Sequence, residues 1–325
     1  MYPTHQLTQH HLLILAGGKG ERLWPLSTAE NPKQFLILDE GKSLFINTVQ
    51  RHLGLVDTVS ILTLERYFFT ALDQLQTFEK TGANFFLEPQ PKGTLPILLI
   101  ALLSLPLEDY FFMTPSDLFI KDSHGYQEFL KKLFQSSSKT SICLIGKKPH
   151  VPHPGFGYIR HLEGKVQSFI EKPDVETAKT LIASQTVLWN CGMIYANVGT
   201  FLNLAKEKAP KTLKICQQLY ENKKKQDLKG VYRFDQPTYL ELEALSIDRA
   251  LLEKAENLVV QEAFFDWKDL GSIPAVTSTY QTKNNVTCLN STNIQVQGNV
   301  KEVIIQNLDG ITIFENEKQI FILKS

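Results

Sequence analysis

Residues 13–35 read LILAGGKGERLWPLSTAENPKQF, and this stretch decides the fold from its first strand outward. An apolar run ends in a glycine-rich loop, which is followed by three cations, Lys19, Arg22 and Lys33. Glycines let backbone N–H groups approach a ligand closely, and Arg and Lys neutralise phosphate oxygens. The stretch therefore predicts a buried strand with a phosphate-binding loop at its carboxyl end.

Short apolar runs alternate with longer amphipathic stretches through the first half of the chain. Ser43 is a candidate N-cap of the first helix, and Gly54 is a candidate stop. The alternation predicts an α/β fold with a mostly parallel sheet covered by helices on both faces. Strands are predicted at 11–17, 58–64, 84–88, 110–114 and 141–146, and helices near 43–53, 65–80, 94–105, 122–136, 174–184, 198–208 and 238–256.

The pattern changes near residue 284. Apolar positions then alternate with polar ones, Gly and Asn mark turns, and no helical period remains. This predicts a Rossmann-like domain at 1–283 and a small all-β, β-helix-like segment at 284–325.

Composition limits the classes of function. Lys plus Arg and Asp plus Glu number 34 each, so a broad surface for nucleic acid is not expected. The four cysteines lack metal-ligand spacing, which favours free thiols in a reducing compartment. No segment approaches the length of about 20 apolar residues that a bilayer requires. A cytoplasmic protein is expected.

Three kinds of phosphate-binding glycine motif can be compared with the sequence at 13–43. A Walker loop ending in GKS at 41–43 would need Gly where Leu36 stands, and a dinucleotide fingerprint would need Gly where Leu23 stands. The remaining pattern is Ala-Gly-Gly-x-Gly-x-Arg-Leu followed by two prolines. A tight turn without a ligand is the alternative, but Arg22 and Lys33 favour a triphosphate.

The same stretch is very similar to the signature of the sugar-1-phosphate nucleotidylyltransferases. The motif RLWPLS…PKQF resembles the version found in the mannose-1-phosphate guanylyltransferases, which are also called GDP-mannose pyrophosphorylases. Further likeness follows in the family's order and covers nearly the whole chain. It is carried by FGYI at 156–159, FIEKPD at 169–174, LWNCGM at 188–193, SIDRALLEK at 246–254 and DWKDLGS at 266–272.

The resemblance implies a role for each matching residue. Arg22 and Lys33 would be catalytic, and Asp117 and Asp269 would bind Mg²⁺. The nucleotide-binding residues would be Ala16, Gly17, Gly18, Gly20, Glu88 and Thr94, with Glu88 accepting from guanine. The sugar phosphate would lie against Gly157, Glu171, Lys172 and Asn190. Asp248 is left outside the site as a helix-orienting residue, Asp266 as a bystander, and Trp189 is assigned to the core.

Without the resemblance, several of these residues have simpler interpretations. Asp117 and Asp269 are then solvated or helix-capping carboxylates, and EKPD at 171–174 has the composition of a surface turn. Some positions also depart from the family's pattern. They are Lys92 for Arg, Gly93 for Asn, Leu118 for His, and the pair His153-Pro154.

The implied reaction transfers GMP from GTP to mannose 1-phosphate, and pyrophosphate leaves. Another pair of nucleoside triphosphate and hexose phosphate remains an alternative, as does a regulatory paralogue that binds a sugar nucleotide without turnover. An exposed β segment with spare strand edges also suggests a homodimer.

Overall fold

The structure of the protein is a computed structural model. It describes residues 8–18, 20, 23, 27–39, 42–76, 82–136, 138–223, 229–270, 286–289, 291–297, 303–306, 308–315 and 320–324. The chain divides into two compact units. The first unit comprises 1–17, 49–116 and 120–267, and the second comprises 18–48, 117–119 and 268–325.

The first unit contains a mixed sheet. Its strands are β1 (His10–Leu15), β4 (Thr58–Leu64), β5 (Asn84–Glu88), β6 (Tyr110–Pro115), β8 (Ile142–Lys147), β9 (Tyr158–Leu162), β10 (Lys165–Ile170), β11 (Val187–Asn197), β12 (Val231–Arg233) and β13 (Leu258–Glu262). Their order is β12-β5-β4-β1-β6-β11-β8-β13-β10-β9. The block from β12 to β6 is parallel, and β11 runs antiparallel to both β6 and β8.

Each strand predicted in the first half is present. β1, β4, β5, β6 and β8 begin and end within a residue or two of the apolar runs. Such runs stay apolar because helices cover a parallel sheet on both faces. The α/β class with a mixed sheet is confirmed. The sheet is less parallel than predicted, because its described strands form five parallel and five antiparallel pairings.

Helices follow the same alternation. They are α1 (Leu44–His52), α2 (Phe68–Gln76), α3 (Thr94–Leu102), α4 (Ser123–Gln135), α5 (Val175–Ala183), α6 (Val198–Lys208), α7 (Pro210–Glu221), α8 (Gln236–Leu240) and α9 (Ile247–Ala250). Ser43 caps α1 by accepting from the Ile46 N–H at 3.1 Å, and Gly54 has φ +79 shortly after the helix ends. Both terminal signals are therefore confirmed. Within the described residues, none of these helices has the length and apolarity to cross a bilayer.

The core of the first unit lies around α3. Every residue from 95 to 102 is buried, so this helix is apolar all round. It packs against the sheet and against α6 and α7. Because α3 directly follows β5, its start places the loop at 89–93 beside the carboxyl end of that strand.

One predicted helix is wrong. The stretch 238–256 is not continuous but forms α8, α9 and a 3₁₀ turn at Leu252–Lys254. The intervening backbone bonds elsewhere, because the Leu245 N–H donates to the Lys92 carbonyl at 3.0 Å and the Leu245 carbonyl accepts from the Leu95 N–H at 3.1 Å. These bonds replace the i→i−4 bonds that a helix would need. The helix α7 was not predicted.

The second unit contains short strand pairs. β2 (Ile37–Asp39) pairs with β3 (Lys42–Ser43), and β7 (Leu118–Phe119) pairs antiparallel with β14 (Lys268–Asp269).

Further strands of the second unit follow residue 285. They are β15 (Val286–Leu289), β16 (Thr292–Gln297), β17 (Val303–Gln306), β18 (Asp309–Glu315) and β19 (Ile320–Lys324). β15 runs parallel to β17 and β16 parallel to β18, while β19 is antiparallel to β18. The proposed boundary at 283/284 lies outside the described residues, so the division into domains stays a prediction.

Candidate active site

The glycine loop begins where β1 ends. The Ala16 N–H donates to the Leu62 carbonyl at 2.8 Å, and its carbonyl accepts from the Thr63 hydroxyl at 2.9 Å. A Cβ on Gly17 would lie 3.3 Å from Oε1 of Glu88. The first part of the loop is therefore anchored to β4 and passes directly beside the Glu88 carboxylate.

The second part of the loop packs on the Lys33 backbone. Gly20 has φ +67, and a Cβ there would lie 2.7 Å from the Lys33 nitrogen, so only glycine fits. The exposed Gly18 accepts through its carbonyl from the Gln34 side chain at 2.9 Å. Gly20 is thus required by local structure whether or not a phosphate binds. Arg22 lies outside the described residues.

Lys33 lies between two carboxylates. Its Nζ is 3.0 Å from Oδ2 of Asp117 and 2.8 Å from Oδ1 of Asp269. The pairing of β7 with β14 sets Asp269 opposite Leu118, which brings the two aspartates together. Burial lowers the pKa of Lys33, but both aspartates raise it, and the net direction is upward. Lys33 therefore keeps its charge although it is only 4% exposed.

The two aspartates suit a magnesium ion. Mg²⁺ is bound by one or two protein carboxylates, with substrate phosphates and water as its other ligands. Asp117 and Asp269 are half-buried, and a single ammonium group reaches both of them. Among the described residues, no cluster of three or more His, Cys, Asp or Glu side chains suitable for a metal is found. The donor set therefore fits an ion shared with a phosphate and does not form an all-protein cage.

Glu88 ends β5 as a buried carboxylate. It is 5% exposed, and its Oε2 accepts a 2.6 Å hydrogen bond from the Tyr239 hydroxyl. Burial raises the pKa of Glu88 to about 7, although bonds from Tyr239 and the Lys92 backbone lower it. Glu88 can therefore change its ionisation near neutral pH. Tyr239 was not predicted, and no motif around it pointed to this contact.

Thr94 and Lys92 tie the loop after β5 to the segment after α8. The Thr94 hydroxyl accepts from the Ile247 N–H at 3.0 Å, at the start of α9. The Lys92 ammonium donates to the carbonyls of Leu240 and Leu242 at 2.8 and 2.6 Å. Gly93 has φ +79, and a Cβ there would lie 2.3 Å from the Leu245 carbonyl oxygen. Lys92 and Gly93, two departures from the family's pattern, are thus explained by this packing.

All four predicted sugar-binding residues meet at one place. The Asn190 N–H donates to the Gly157 carbonyl at 2.8 Å, and a Cβ on Gly157 would lie 2.9 Å from Oε2 of Glu171. Lys172 has φ +46, and its Nζ is 3.0 Å from Oε1 of Glu171. The Lys172 side chain is 57% exposed, so its ammonium remains accessible to an anion.

Asp248 joins this group, which corrects the expectation that it only orients a helix outside the site. Its Oδ1 accepts from the Asn190 side-chain amide at 3.1 Å. Burial, and next the charge of Glu171, raise the pKa of Asp248 to about 6. The position of Asp248 in SIDRALLEK was the available signal, because that stretch carries the family resemblance.

An aromatic cluster flanks Gly157. Phe156 stacks on His153 with ring centroids 4.3 Å apart and lies 5.1 Å from Trp189. His153 and Tyr158 also bond to each other, since the Tyr158 hydroxyl donates to the His153 carbonyl at 3.2 Å. Trp189 is 3% exposed, as its assignment to the core predicted, and Asp266 is exposed.

The predicted residues therefore form three groups. Lys33, Asp117, Asp269, Gly18 and Gly20 belong to the second unit. In the first unit, Ala16 and Gly17 lie near Glu88, with Thr94 at the start of α3. Gly157, Glu171, Lys172 and Asn190 form the remaining group, also in the first unit.

A family model matches most of the chain. The model described as nucleotidyl transferase matches residues 11–285. Alginate biosynthesis protein AlgA of Pseudomonas aeruginosa is 30% identical over 330 residues, which cover 95% of this chain and 68% of that protein. Mannose-1-phosphate guanylyltransferase of Sinorhizobium fredii is 29% identical and is matched over 64% of its length. The chain thus spans about two thirds of the length of these relatives.

Solved structures share the fold. A crystal structure described as mannose-6-phosphate isomerase from Helicobacter pylori is 30% identical, with a TM-score of 0.73, and the match covers 80% of this chain and 100% of that one. One described as mannose-1-phosphate geranyltransferase from Thermus thermophilus has a TM-score of 0.74 over 98% of this chain and 95% of that one. At 23% identity, the second likeness supports the fold alone.

Proposed function

We propose that this chain, which belongs to the nucleotidyl transferase family, transfers GMP from GTP to mannose 1-phosphate and releases pyrophosphate. The observation that carries nucleotidyl transfer is the pairing of Lys33 with both Asp117 and Asp269 beside a glycine loop. The choice of GTP and mannose 1-phosphate rests on the names of relatives such as the Sinorhizobium fredii protein.

The chemistry is an in-line displacement at phosphorus. A phosphate oxygen of mannose 1-phosphate forms a bond to the α-phosphorus of GTP, and the bond from that phosphorus to the α,β-bridging oxygen breaks. Pyrophosphate leaves with the bonding electrons. The attacking phosphate is already an anion at neutral pH, so no protein base is required. The protein must instead align two anions and offset their repulsion.

Charged side chains of this chain meet that requirement. Lys33 and Arg22 stabilise negative charge on the leaving pyrophosphate. Lys172, whose ammonium is accessible, holds the phosphate of the sugar. Glu171 and Asn190 bond to hexose hydroxyls, and Gly157 leaves room for these two side chains, since a Cβ there would lie 2.9 Å from Oε2 of Glu171. Asp248 keeps the Asn190 amide in place through its 3.1 Å bond.

Asp117 and Asp269 would hold Mg²⁺. When bound, the ion supplies positive charge to phosphate oxygens without any proton transfer.

Glu88 is assigned to the guanine base. An ionised carboxylate accepts from the guanine N1–H and 2-amino groups, whereas adenine offers an acceptor at N1. The buried position of Glu88 beside Gly17 supports this role, because the carboxylate then loses little binding energy to water.

The test is pyrophosphate release by the purified chain. GTP, ATP, UTP and dTTP are each paired with mannose 1-phosphate or glucose 1-phosphate, with Mg²⁺ or with EDTA. The expected result is release that requires GTP, mannose 1-phosphate and Mg²⁺ together. Pyrophosphate release with another pair of nucleoside triphosphate and sugar phosphate would change the assigned substrates but support the same reaction. If a folded chain binds nucleotide but releases no pyrophosphate with any pair, the regulatory paralogue is favoured. Conversion of mannose 6-phosphate would favour an isomerase.

The proposal extends to assembly and location. The strands beyond 285 would form an all-β segment that mediates a homodimer. In support, Ile322 of β19 is 64% exposed on an outer strand of the β16-β18-β19 sheet. Sedimentation at micromolar concentration should give twice 36.9 kDa, and a monomeric mass would contradict the dimer. Free thiols at Cys143, Cys191 and Cys216 support a reducing, cytoplasmic compartment.

A further inference from the structure

We propose that Tyr239 is the positioning residue that makes Glu88 selective for guanine. Its hydroxyl donates to one carboxylate oxygen, which fixes the plane of the carboxylate and favours its ionised form. The inference rests on the proposed function, because it assumes that Glu88 binds the base.

The contact joins two buried groups that are 151 residues apart in the chain. Oε2 of Glu88 accepts from Tyr239 at 2.6 Å, and Oε1 faces Gly17, where a Cβ would lie 3.3 Å away. The two oxygens therefore have different surroundings. Tyr239 is fully buried, so its hydroxyl cannot exchange this bond for one with bulk water.

The backbone around the pair is tied together on both sides. Asp235 caps α8 by accepting from the Thr238 N–H at 3.0 Å, and this helix carries Tyr239. The Lys92 ammonium binds the carbonyls of Leu240 and Leu242, directly after Tyr239. Tyr239 therefore keeps its distance from Glu88 through contacts that do not involve its own hydroxyl.

The chemistry of the pair fits a base-reading role. Burial raises the pKa of the Tyr239 hydroxyl, so it remains a donor at any physiological pH. Among the described residues, the groups that affect the pKa of Glu88 are the Tyr239 hydroxyl and the Lys92 backbone N–H. The pKa of Tyr239 is affected by Glu88 and by the Cys216 thiol. A donor on Oε2 favours the ionised carboxylate, and only this form can accept from both guanine donors.

Removal of the hydroxyl should act on nucleotide binding. In Tyr239→Phe the carboxylate loses a donor while it stays buried, so a larger fraction of it is protonated at pH 7. A protonated carboxyl cannot accept from the N1–H and the 2-amino group together. Inosine triphosphate lacks the 2-amino group and therefore depends less on this second acceptor.

The experiment measures steady-state kinetics of wild type and Tyr239→Phe with GTP and with inosine triphosphate from pH 6 to 9. We expect KM for GTP to rise about tenfold at pH 7, to recover toward pH 9, and kcat to change little. The ratio of kcat/KM for GTP over inosine triphosphate should fall. Tyr232→Phe is the matched control, since Tyr232 stacks on Phe86 and is only half-buried.

A double-mutant cycle separates positioning from packing. If Tyr239 acts through Glu88, adding Tyr239→Phe to Glu88→Gln should change KM for GTP no further. An unchanged KM and pH profile in Tyr239→Phe would overturn the inference, as would full additivity in the cycle. If Tyr239→Phe does not fold, 3-fluorotyrosine at position 239 replaces it, because its hydroxyl is a stronger donor. The fall of kcat/KM for GTP on the acid side of the pH profile should then shift to lower pH. An unshifted profile would refute the proposal.

Failure of the proposed function gives a different result. In that case the wild-type chain does not turn over GTP, or it treats GTP and ATP alike. Wild-type selectivity for GTP combined with an unaffected Tyr239→Phe variant contradicts only the positioning role.

Discussion

Lys33 shows how a single residue combines structure with chemistry. Its backbone lies against Gly20, and its ammonium bonds to carboxylates 84 and 236 residues away in the chain. The charge is therefore held in place by residues that would themselves bind a cation. In the proposed reaction Mg²⁺ would take these two carboxylates, and the Lys33 ammonium would then be available to phosphate oxygens.

Replacement of Lys33 should abolish most turnover. We expect Lys33→Ala to lower kcat at least about a hundredfold, because one electrostatic contact contributes about 2.7–4 kcal/mol to the barrier. Arg22→Ala should have a similar effect. Pyrophosphate release measures both. Lys131→Ala is the control, since Lys131 forms an exposed ion pair within α4, and near-normal turnover in the Lys33 variant would exclude the assigned role.

Glu88 makes the stability of the protein depend on pH. Its folded pKa is about 7 and its ordinary value is 4.5, so ionisation opposes folding. The contribution of Glu88 to stability is fully present below about pH 4.5 and is lost as the pH rises through about 7. Glu88→Gln removes this loss.

The Glu88→Gln variant should therefore be more stable than wild type at pH 8, by up to about 3 kcal/mol, with a smaller difference at pH 5. Urea denaturation at the two pH values measures the difference. The exposed Glu128 supplies a control, since Glu128→Gln should show no such gain at pH 8. A pH-independent difference between Glu88→Gln and wild type would show that the carboxylate is already ionised in the folded protein.

The loop between β5 and α3 connects the two elements that carry Glu88 and Thr94. The backbone of this loop forms a hydrogen bond with the segment that interrupts the predicted helix at 238–256. Lys92 and Gly93 hold the loop to residues 240–245. Lys92 and Gly93, two of the departures from the family's pattern, thus serve the local packing.

Gly93 permits a test of this packing with an internal control. Gly93 and Gly54 both have φ +79, but a Cβ on Gly93 would meet the Leu245 carbonyl oxygen at 2.3 Å, whereas nothing lies within 4 Å at Gly54. Gly54→Ala should cost about 1 kcal/mol for the backbone conformation alone. Gly93→Ala should cost about 2 kcal/mol more because backbone must move. Chemical denaturation of both variants measures this, and equal losses would show that the loop adapts freely.

For the whole molecule, ligand binding and stability are linked. A ligand that binds only the folded chain stabilises it by about 2.7 kcal/mol at a concentration of 100 times Kd. GTP with Mg²⁺ should therefore raise the thermal unfolding midpoint by several degrees, and ATP with Mg²⁺ should raise it less. In Asp117→Asn the dependence of this shift on Mg²⁺ should weaken. Equal shifts with GTP and ATP would contradict the assigned base selectivity.

The sequence by itself determined the parallel half of the sheet, the glycine loop and the family. Buried strands such as β1 and β6 are continuous apolar runs, and the signature at 13–35 depends only on neighbouring residues. The tertiary structure decided the break at 241–246 and the pairing of Tyr239 with Glu88. It also brought Lys33 between Asp117 and Asp269 and Asp248 against Asn190. These contacts join residues that are far apart in the chain. A local periodicity or spacing in the sequence does not specify which distant residue a buried polar group will bond to.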